Sequence, residues 1–250
     1  MQAARFAVRR SVAGLRAGGC GSCSGAMLRR VPIKQEPIRI GSTAPDFKAQ
    51  TSKGPISFHE FIGNDWVVFF SHPADYTPVC TTELGAFAKL QPEFEKRGAK
   101  LIGLSANGSR DHEGWIKDIE EVSSEGAKVG YPIIADEDRK VSWLYGMLDE
   151  ESVKNIDSNP IPVSLRSVFI IDPNKKVRII ITYPPAVGRN TAEVLRALEA
   201  LQLADKAGVA TPVNWTPGGD VIVPVPVSDA DAEAKFGSVR KVKPYLRYNN

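Results

Sequence analysis

Seven residues, Trp66 to His72 (WVVFFSH), constrain the fold of this 250-residue chain more than any other stretch. The run is short, apolar and rich in Val and Phe. That pattern predicts a strand buried on both faces rather than one that alternates between core and water. It leads at once into PADYTPVCTTELGAFAKLQPEFEKRG (73–98), where Leu84, Phe87, Ala88, Leu90 and Phe94 recur at near-helical spacing and Gly98 offers a stop. Pro73 and Pro78 shape the turn between strand and helix. Pro92 is expected to kink the helix, because its ring displaces one backbone hydrogen bond.

The same alternation continues downstream. KLIGLSA (100–106) reads as a strand, DHEGWIKDIEEV (111–122) as a helix and YPIIAD (131–136) as a strand. RSVFIID (166–172) and VRIIITY (177–183) are strands joined by the tight polar turn PNKK, the pattern of an antiparallel hairpin. Asn190 and Glu193 have the spacing of a capping box ahead of a helix whose Val194, Leu195, Leu198 and Leu201 share one face. Strands alternating with helices and ending on a hairpin predict an α/β fold, a mixed central sheet with helices on both sides. From about Lys206 the chain becomes dense in Pro and Gly, with one short strand and one short helix that starts on acidic residues. Residues 207–250 are expected to form a small C-terminal extension that packs on the body or on a second subunit.

Charge separates the first 35 residues from the rest. They hold seven Arg and Lys and no acid, so 25 basic residues face 29 acids from 36 onward, a net −4 where the whole chain sums to +3. A basic balance confined to the leader gives no reason to expect nucleic-acid binding by the body. An Arg-rich, acid-free leader whose arginines interrupt every apolar run fits a disordered mitochondrial transit peptide over 1–35. A basic tail without targeting function is the alternative. No stretch approaches the roughly 18 consecutive apolar residues that span a bilayer, so no membrane span is expected.

Of three cysteines, Cys20 and Cys23 fall in the leader, where no strand or helix would activate them, and Cys80 stands alone in the body. That is no disulfide framework, and it suits a reducing compartment. Cys80 falls in the first turn of the predicted helix, facing unpaired N–H groups and the positive end of the helix dipole, which favour a thiolate. A free cysteine with pKa of about 8.5 is only a few per cent ionised near neutrality, whereas one lowered to about 6 is mostly thiolate and nucleophilic. Thr77 occupies the position where a Cys-x-x-Cys disulfide exchanger would carry its first cysteine, so the turn cannot close an internal disulfide. Asp111-His112-Glu113 is read as a solvated helix start rather than as metal ligands.

SHPADYTPVCTTELGAFAKLQPEF, with KLIGLSAN, RSVFIID, TYPPAVGRNTAEVLRALEALQL, VATPVNW and KPYLRY, resembles the one-cysteine peroxiredoxins, and with its leader the chain is most similar to the fungal mitochondrial type. The resemblance runs from about residue 38 to the C-terminus. It implies a thioredoxin-like peroxidase domain over 36–206 and roles for particular residues. Cys80 would be the peroxidatic nucleophile, Thr77 would hydrogen-bond the peroxide and the sulfur, and Pro73 would shield the pocket. Arg166, opening its strand, would stabilise the thiolate and the leaving oxygen. His72, Glu83 and Arg189 flank the motif, and for these three a structural hydrogen bond and a direct part in catalysis both stand open.

The implied reaction oxidises Cys80 to a sulfenic acid while reducing hydrogen peroxide or an organic hydroperoxide. With no second cysteine in the body, an external thiol must resolve it: glutathione with glutaredoxin or a transferase, or thioredoxin. No metal or flavin is required, and a homodimer in the mitochondrial matrix is expected. A thiol redox sensor or holdase chaperone using the same cysteine is the competing function. Some animal relatives add a lipase-like Ser, His and Asp; here the matching positions are Asp65, His59 and Asn174, so no phospholipase activity is expected.

Overall fold

A computed structural model describes residues 37–155 and 163–249. The leader, with Cys20 and Cys23, lies outside the described residues. Strands β1 (Lys48–Thr51) and β2 (Gly54–Ser57) form a hairpin that runs into the short helix α1 (Phe58–Ile62). Then follow β3 (Trp66–Ser71), α2 (Pro78–Lys96), β4 (Ala99–Ser105), α3 (Ser109–Val122) and β5 (Ile133–Ala135). Short helices α4 (Lys140–Leu144) and α5 (Glu150–Lys154) precede β6 (Arg166–Ile171), β7 (Val177–Tyr183) and α6 (Thr191–Ala207).

Among the described residues these strands make one seven-stranded sheet in the order β2-β1-β5-β4-β3-β6-β7. β3, β4 and β5 run parallel, and β6 and β7 add to β3 antiparallel, so the sheet is mixed as expected. β3 is central, and its side chains show why its sequence is apolar throughout. Val68 and Phe70 enter one core with Leu84 and Phe87 of α2, Trp115 and Ile119 of α3, and Val194 and Leu198 of α6. Val67 and Phe69 enter the other with Phe58 and Ile62 of α1 and Val141 of α4. A strand with helices on both faces has no side to give to polar residues.

Helix α2 runs through Pro92 to Lys96 without a break. Leu84, Phe87 and Phe94 on this helix are fully buried. Burial of such a side chain contributes about 1.5–3 kcal/mol, so three of them outweigh the roughly 3 kcal/mol that an interior proline costs. At α6 the expected capping box forms only in half. The Asn190 side chain accepts the Glu193 N–H at 3.2 Å, but the Glu193 carboxylate turns to Arg196 at 2.6 and 2.8 Å.

Beyond α6 lie β8 (Val221–Ile222), α7 (Asp229–Phe236), β9 (Arg240–Lys243) and β10 (Leu246–Asn249), with the three strands in a small sheet ordered β8-β10-β9. Sequence reading found the first strand and the helix but missed the β9–β10 pair. Arg247 is buried and holds this segment together, donating to Asp229 and to the carbonyls of Pro224 and Val227.

Candidate active site

The site forms where β3 ends. The chain leaves Ser71, passes through Pro73–Tyr76 and enters α2 with Thr77 as N-cap and Pro78 in the first turn. Proline is at ease there because its missing N–H would have had no partner inside the helix. Cys80 follows in that first turn and is wholly buried. Tyr76 has a left-handed backbone with φ 54°, a conformation rare for a bulky residue and a mark of a tightly determined turn.

β6 lies antiparallel beside β3, with Val168 opposite Phe70, and this pairing brings Arg166 to the sheet end where α2 begins. Arg166 Nη1 donates to Cys80 Sγ at 3.2 Å and to Glu83 Oε2 at 2.7 Å, while its Nε donates to the Pro185 carbonyl at 2.8 Å. Glu83 stands one turn after Cys80 on the same buried face of α2. Arg189, just before the α6 N-cap, clasps Glu83 from the other side: Nε to Oε1 at 2.9 Å, Nη2 to Oε2 at 2.8 Å, and its backbone N–H to Oε1 at 2.7 Å. Arg189 Nη1 also donates to the carbonyls of Ser71 and Ser167, tying the guanidinium to β3 and β6 together. The Phe70 and Phe87 rings lie 5.4 and 5.6 Å from it. Burial pushes the Glu83 carboxyl up, but the hydrogen bonds and charge of Arg189, with the charge of Arg166, hold it below the usual range.

Thus Cys80, Glu83, Arg166 and Arg189 meet in one bonded cluster. Thr77 and Pro73 stand on the turn leading into it. The Thr77 hydroxyl donates to the Ala74 carbonyl at 2.9 Å, so its proton is not directed at the sulfur as expected, and its oxygen is left as an acceptor. Pro73 is buried. His72 bonds outside the cluster, its Nε2 meeting Asp75 Oδ1 at 2.7 Å.

One reading fails here. His112, taken for part of a solvated helix start, is completely buried and meets Asp75 Oδ2 through Nδ1 at 2.5 Å. Only its neighbours Asp111 and Glu113 are exposed. The missed signal was spacing: His112, Trp115 and Ile119 occupy one stripe of α3 and are buried together. Among the described residues no group of His, Cys, Asp and Glu could hold a metal ion.

The positions matching a lipase-like triad are not hydrogen-bonded to one another. His59 Nε2 meets the Ala44 carbonyl at 2.7 Å, Asp65 pairs with Lys100 at 2.8 Å, and Asn174 sits in the β6–β7 turn. Asp65 and Asn174 line one surface groove of about 630 Å³, and His59 is not among its lining residues.

Residues 40–180 match the AhpC/TSA family, and residues 200–238 match the C-terminal domain of 1-Cys peroxiredoxin. The chain belongs to the 1-Cys peroxiredoxins. It is 56% identical over 214 residues to "Peroxiredoxin PRX1, mitochondrial" of Saccharomyces cerevisiae, covering 86% of this chain and 81% of that protein. It is 47% identical to the 1-Cys peroxiredoxin of Dictyostelium discoideum, covering 84% of each. The structure of a yeast mitochondrial 1-Cys peroxiredoxin, described for thiol resolution via glutathione/thioredoxin systems, superposes with a TM-score of 0.76 at 51% identity. It covers 85% of this chain and 99% of that one. A cysteine-to-serine mutant of peroxiredoxin 6 from Arenicola marina gives 0.78 at 41% identity, covering 85% and 97%. The thioredoxin-like fold of this peroxiredoxin is therefore shown, and so is its class of activity: a thiol-dependent peroxidase that draws on an external thiol and needs no prosthetic group.

Proposed function

We propose that Cys80 is the peroxidatic nucleophile and that Arg166, Thr77 and Pro73 serve it directly. The observation that carries this reading is the charge balance around the sulfur. Two buried guanidinium groups, Arg166 and Arg189, share one carboxylate, Glu83, and the Arg166 N–H points at Sγ. One positive charge is left over, and a thiolate balances it. The sulfur attacks the terminal oxygen of the peroxide, the O–O bond breaks, and the released alkoxide or hydroxide takes a proton to leave as alcohol or water. Arg166 stabilises the charge that develops on that oxygen. The Thr77 oxygen accepts a hydrogen bond from the incoming hydroperoxide, and Pro73 keeps water from the sulfur.

Cys80 is left as a sulfenic acid. One external thiol displaces water to form a mixed disulfide, and a second releases Cys80 and forms the external disulfide. Glutathione or thioredoxin fills this role, in keeping with what is described for the yeast relative. Glu83 and Arg189 act as the frame that orients Arg166, and His72 belongs to the neighbouring turn. The mitochondrial name of the yeast relative and the acid-free leader together support a transit peptide over 1–35 and a matrix location. Residues 36–206 would form the peroxidase unit and 207–250 an extension suited to a homodimer contact.

Intact-mass measurement after one equivalent of peroxide, with and without glutathione, tests the chemistry alongside a turnover assay. The expected result is a gain of one oxygen on Cys80, a glutathione adduct when the thiol is present, and loss of both in Cys80→Ser. Peroxide consumption that persists in Cys80→Ser would overturn the assignment. A single stoichiometric oxidation without turnover would favour a redox sensor.

A further inference from the structure

A second buried polar cluster lies beside the first, and the peroxide reaction as described above does not use it. Asp75, in the turn between β3 and Cys80, is almost wholly buried and accepts three side-chain hydrogen bonds. They come from His72 Nε2 at 2.7 Å, His112 Nδ1 at 2.5 Å and Ser105 Oγ at 3.1 Å. Its backbone N–H donates to Asn107 Oδ1 at 2.9 Å. One residue of the turn is thereby fastened to the end of β4, to the loop after it and to α3.

The partners of His112 settle its role. Its Nε2 lies 3.1 Å from the Ile134 carbonyl of β5. Burial pushes the Asp75 carboxyl up, but the bonds from His112 and His72 prevail and hold it at about 2, so it is ionised and only accepts. His112 thus joins the turn to β5 through one rigid ring, with Nδ1 on Asp75 and Nε2 on the Ile134 carbonyl. His72 differs. Burial lowers it into the neutral form, with Nε2–H on Asp75 and a buried Nδ1 that has no partner among the described residues.

The same end of α3 grips the turn at two more points. Tyr76, in its left-handed conformation, lies over Gly114, where a Cβ would come within 2.5 Å of its hydroxyl. Trp115 Nε1 donates to Thr81 Oγ1 at 3.2 Å, and that hydroxyl donates in turn to the Thr77 carbonyl at 2.8 Å.

We infer that His112 is a positioning residue for peroxide reduction: acting through Asp75, it holds the 73–77 turn so that Pro73 and the Thr77 oxygen face the sulfur of Cys80. This deepens the peroxidase reading and rests on it. His112 touches neither the sulfur nor the peroxide. Its effect should fall on the reaction that needs the turn and spare the one that needs only the thiolate. Catalysis of this kind loses about a hundredfold when a group is displaced by an ångström.

The test compares two second-order rates on reduced protein, oxidation of Cys80 by hydrogen peroxide and its alkylation by iodoacetamide. In His112→Ala the peroxide rate is expected to fall 10- to 100-fold while alkylation stays within threefold or rises. Asp75→Asn keeps the shape of the side chain but cannot accept from all three donors, and it should show the same split if His112→Ala does not fold. His112→Asn, whose amide N–H can replace Nδ1–H, should regain most of the peroxide rate. A peroxide rate within threefold of wild type in His112→Ala and Asp75→Asn would overturn the inference, as would an equal fall in both rates. A wild-type chain without peroxide turnover would instead overturn the peroxidase reading beneath it.

Discussion

Arg166 Nη1 stands 3.2 Å from Cys80 Sγ, and the same nitrogen lies 2.7 Å from Glu83 Oε2. Arg166 is buried, and its Nε is held by the Pro185 carbonyl, so the fork is fixed in place before any substrate arrives. A guanidinium can serve these three acceptors at once because its donors are rigidly splayed, which an ammonium cannot match.

Arg166→Gln should therefore lower the second-order rate of peroxide reduction by about 10²–10³-fold, the loss typical of one preorganised donor at a developing charge. Arg166→Lys should fall between this variant and wild type. Stopped-flow tryptophan fluorescence measures the rate, and thermal unfolding serves as a check on the fold. Glu83 keeps its fork to Arg189 in both variants, so the fold should survive. A rate within threefold of wild type in Arg166→Gln would remove Arg166 from the reaction.

Stability should decline in acid in two stages. His72 is kept neutral by burial, so its folded pKa lies below the ordinary 6.5. As pH falls below 6.5 the unfolded chain takes up a proton that the native state refuses, and stability drops. Glu83 and Asp75 have depressed folded values, so their contribution is complete above about 4.5 and 3.8 and is lost as pH falls through the folded values, about 2 for Asp75. For Asp75 the shift corresponds to about 2 kcal/mol. Asp136, raised by burial, works in the opposite direction and offsets part of this loss. Urea midpoints between pH 8 and 3 should fall first below 6.5 and again below 4.5; a flat profile down to pH 4 would contradict the burial of His72 in neutral form.

Gly85→Ala should destabilise the protein even though alanine is the better helix former. An added Cβ would lie 2.5 Å from Ser123 Oγ and 2.7 Å from the Ser123 carbonyl oxygen, where α2 meets the end of α3. The propensity gain is about 1 kcal/mol, whereas overpacking against a backbone atom costs about 1–3 kcal/mol. The melting temperature should drop by a few degrees. A higher melting temperature would show that the α2–α3 contact yields more easily than its geometry indicates.

Much of this was legible along the chain because it depends on near neighbours. The β6–β7 hairpin follows from its turn, where Asp172 accepts the N–H groups of Asn174 and Lys176 as a polar turn residue should. The β1–β2 hairpin escaped notice because KAQT and GPIS are short and lack an apolar alternation. β1 is held at the sheet by Thr51 opposite Ile134 of β5, a pairing with no local signal. The Glu193 half of the capping box failed for a similar reason. Both Asn190 and Arg196 lie within reach of Glu193, and a charged guanidinium three residues on makes the stronger partner.

Sequence by itself determined the central strand and the placing of Cys80. A short apolar run rich in Val and Phe reads as a strand covered on both faces, and a cysteine two residues after Pro78 falls in the first helical turn. It also determined that no second body cysteine can resolve an oxidised Cys80. What surrounds the sulfur was decided by tertiary structure. Arg166 lies 86 positions from Cys80, Arg189 lies 106 from Glu83, and His112 lies 37 from Asp75. Contacts at such separations have no periodicity for a sequence to display; they exist because β6 is laid beside β3 and α3 against the turn. Burial then does the rest, since a charged or polar side chain removed from water must find its partners inside the fold.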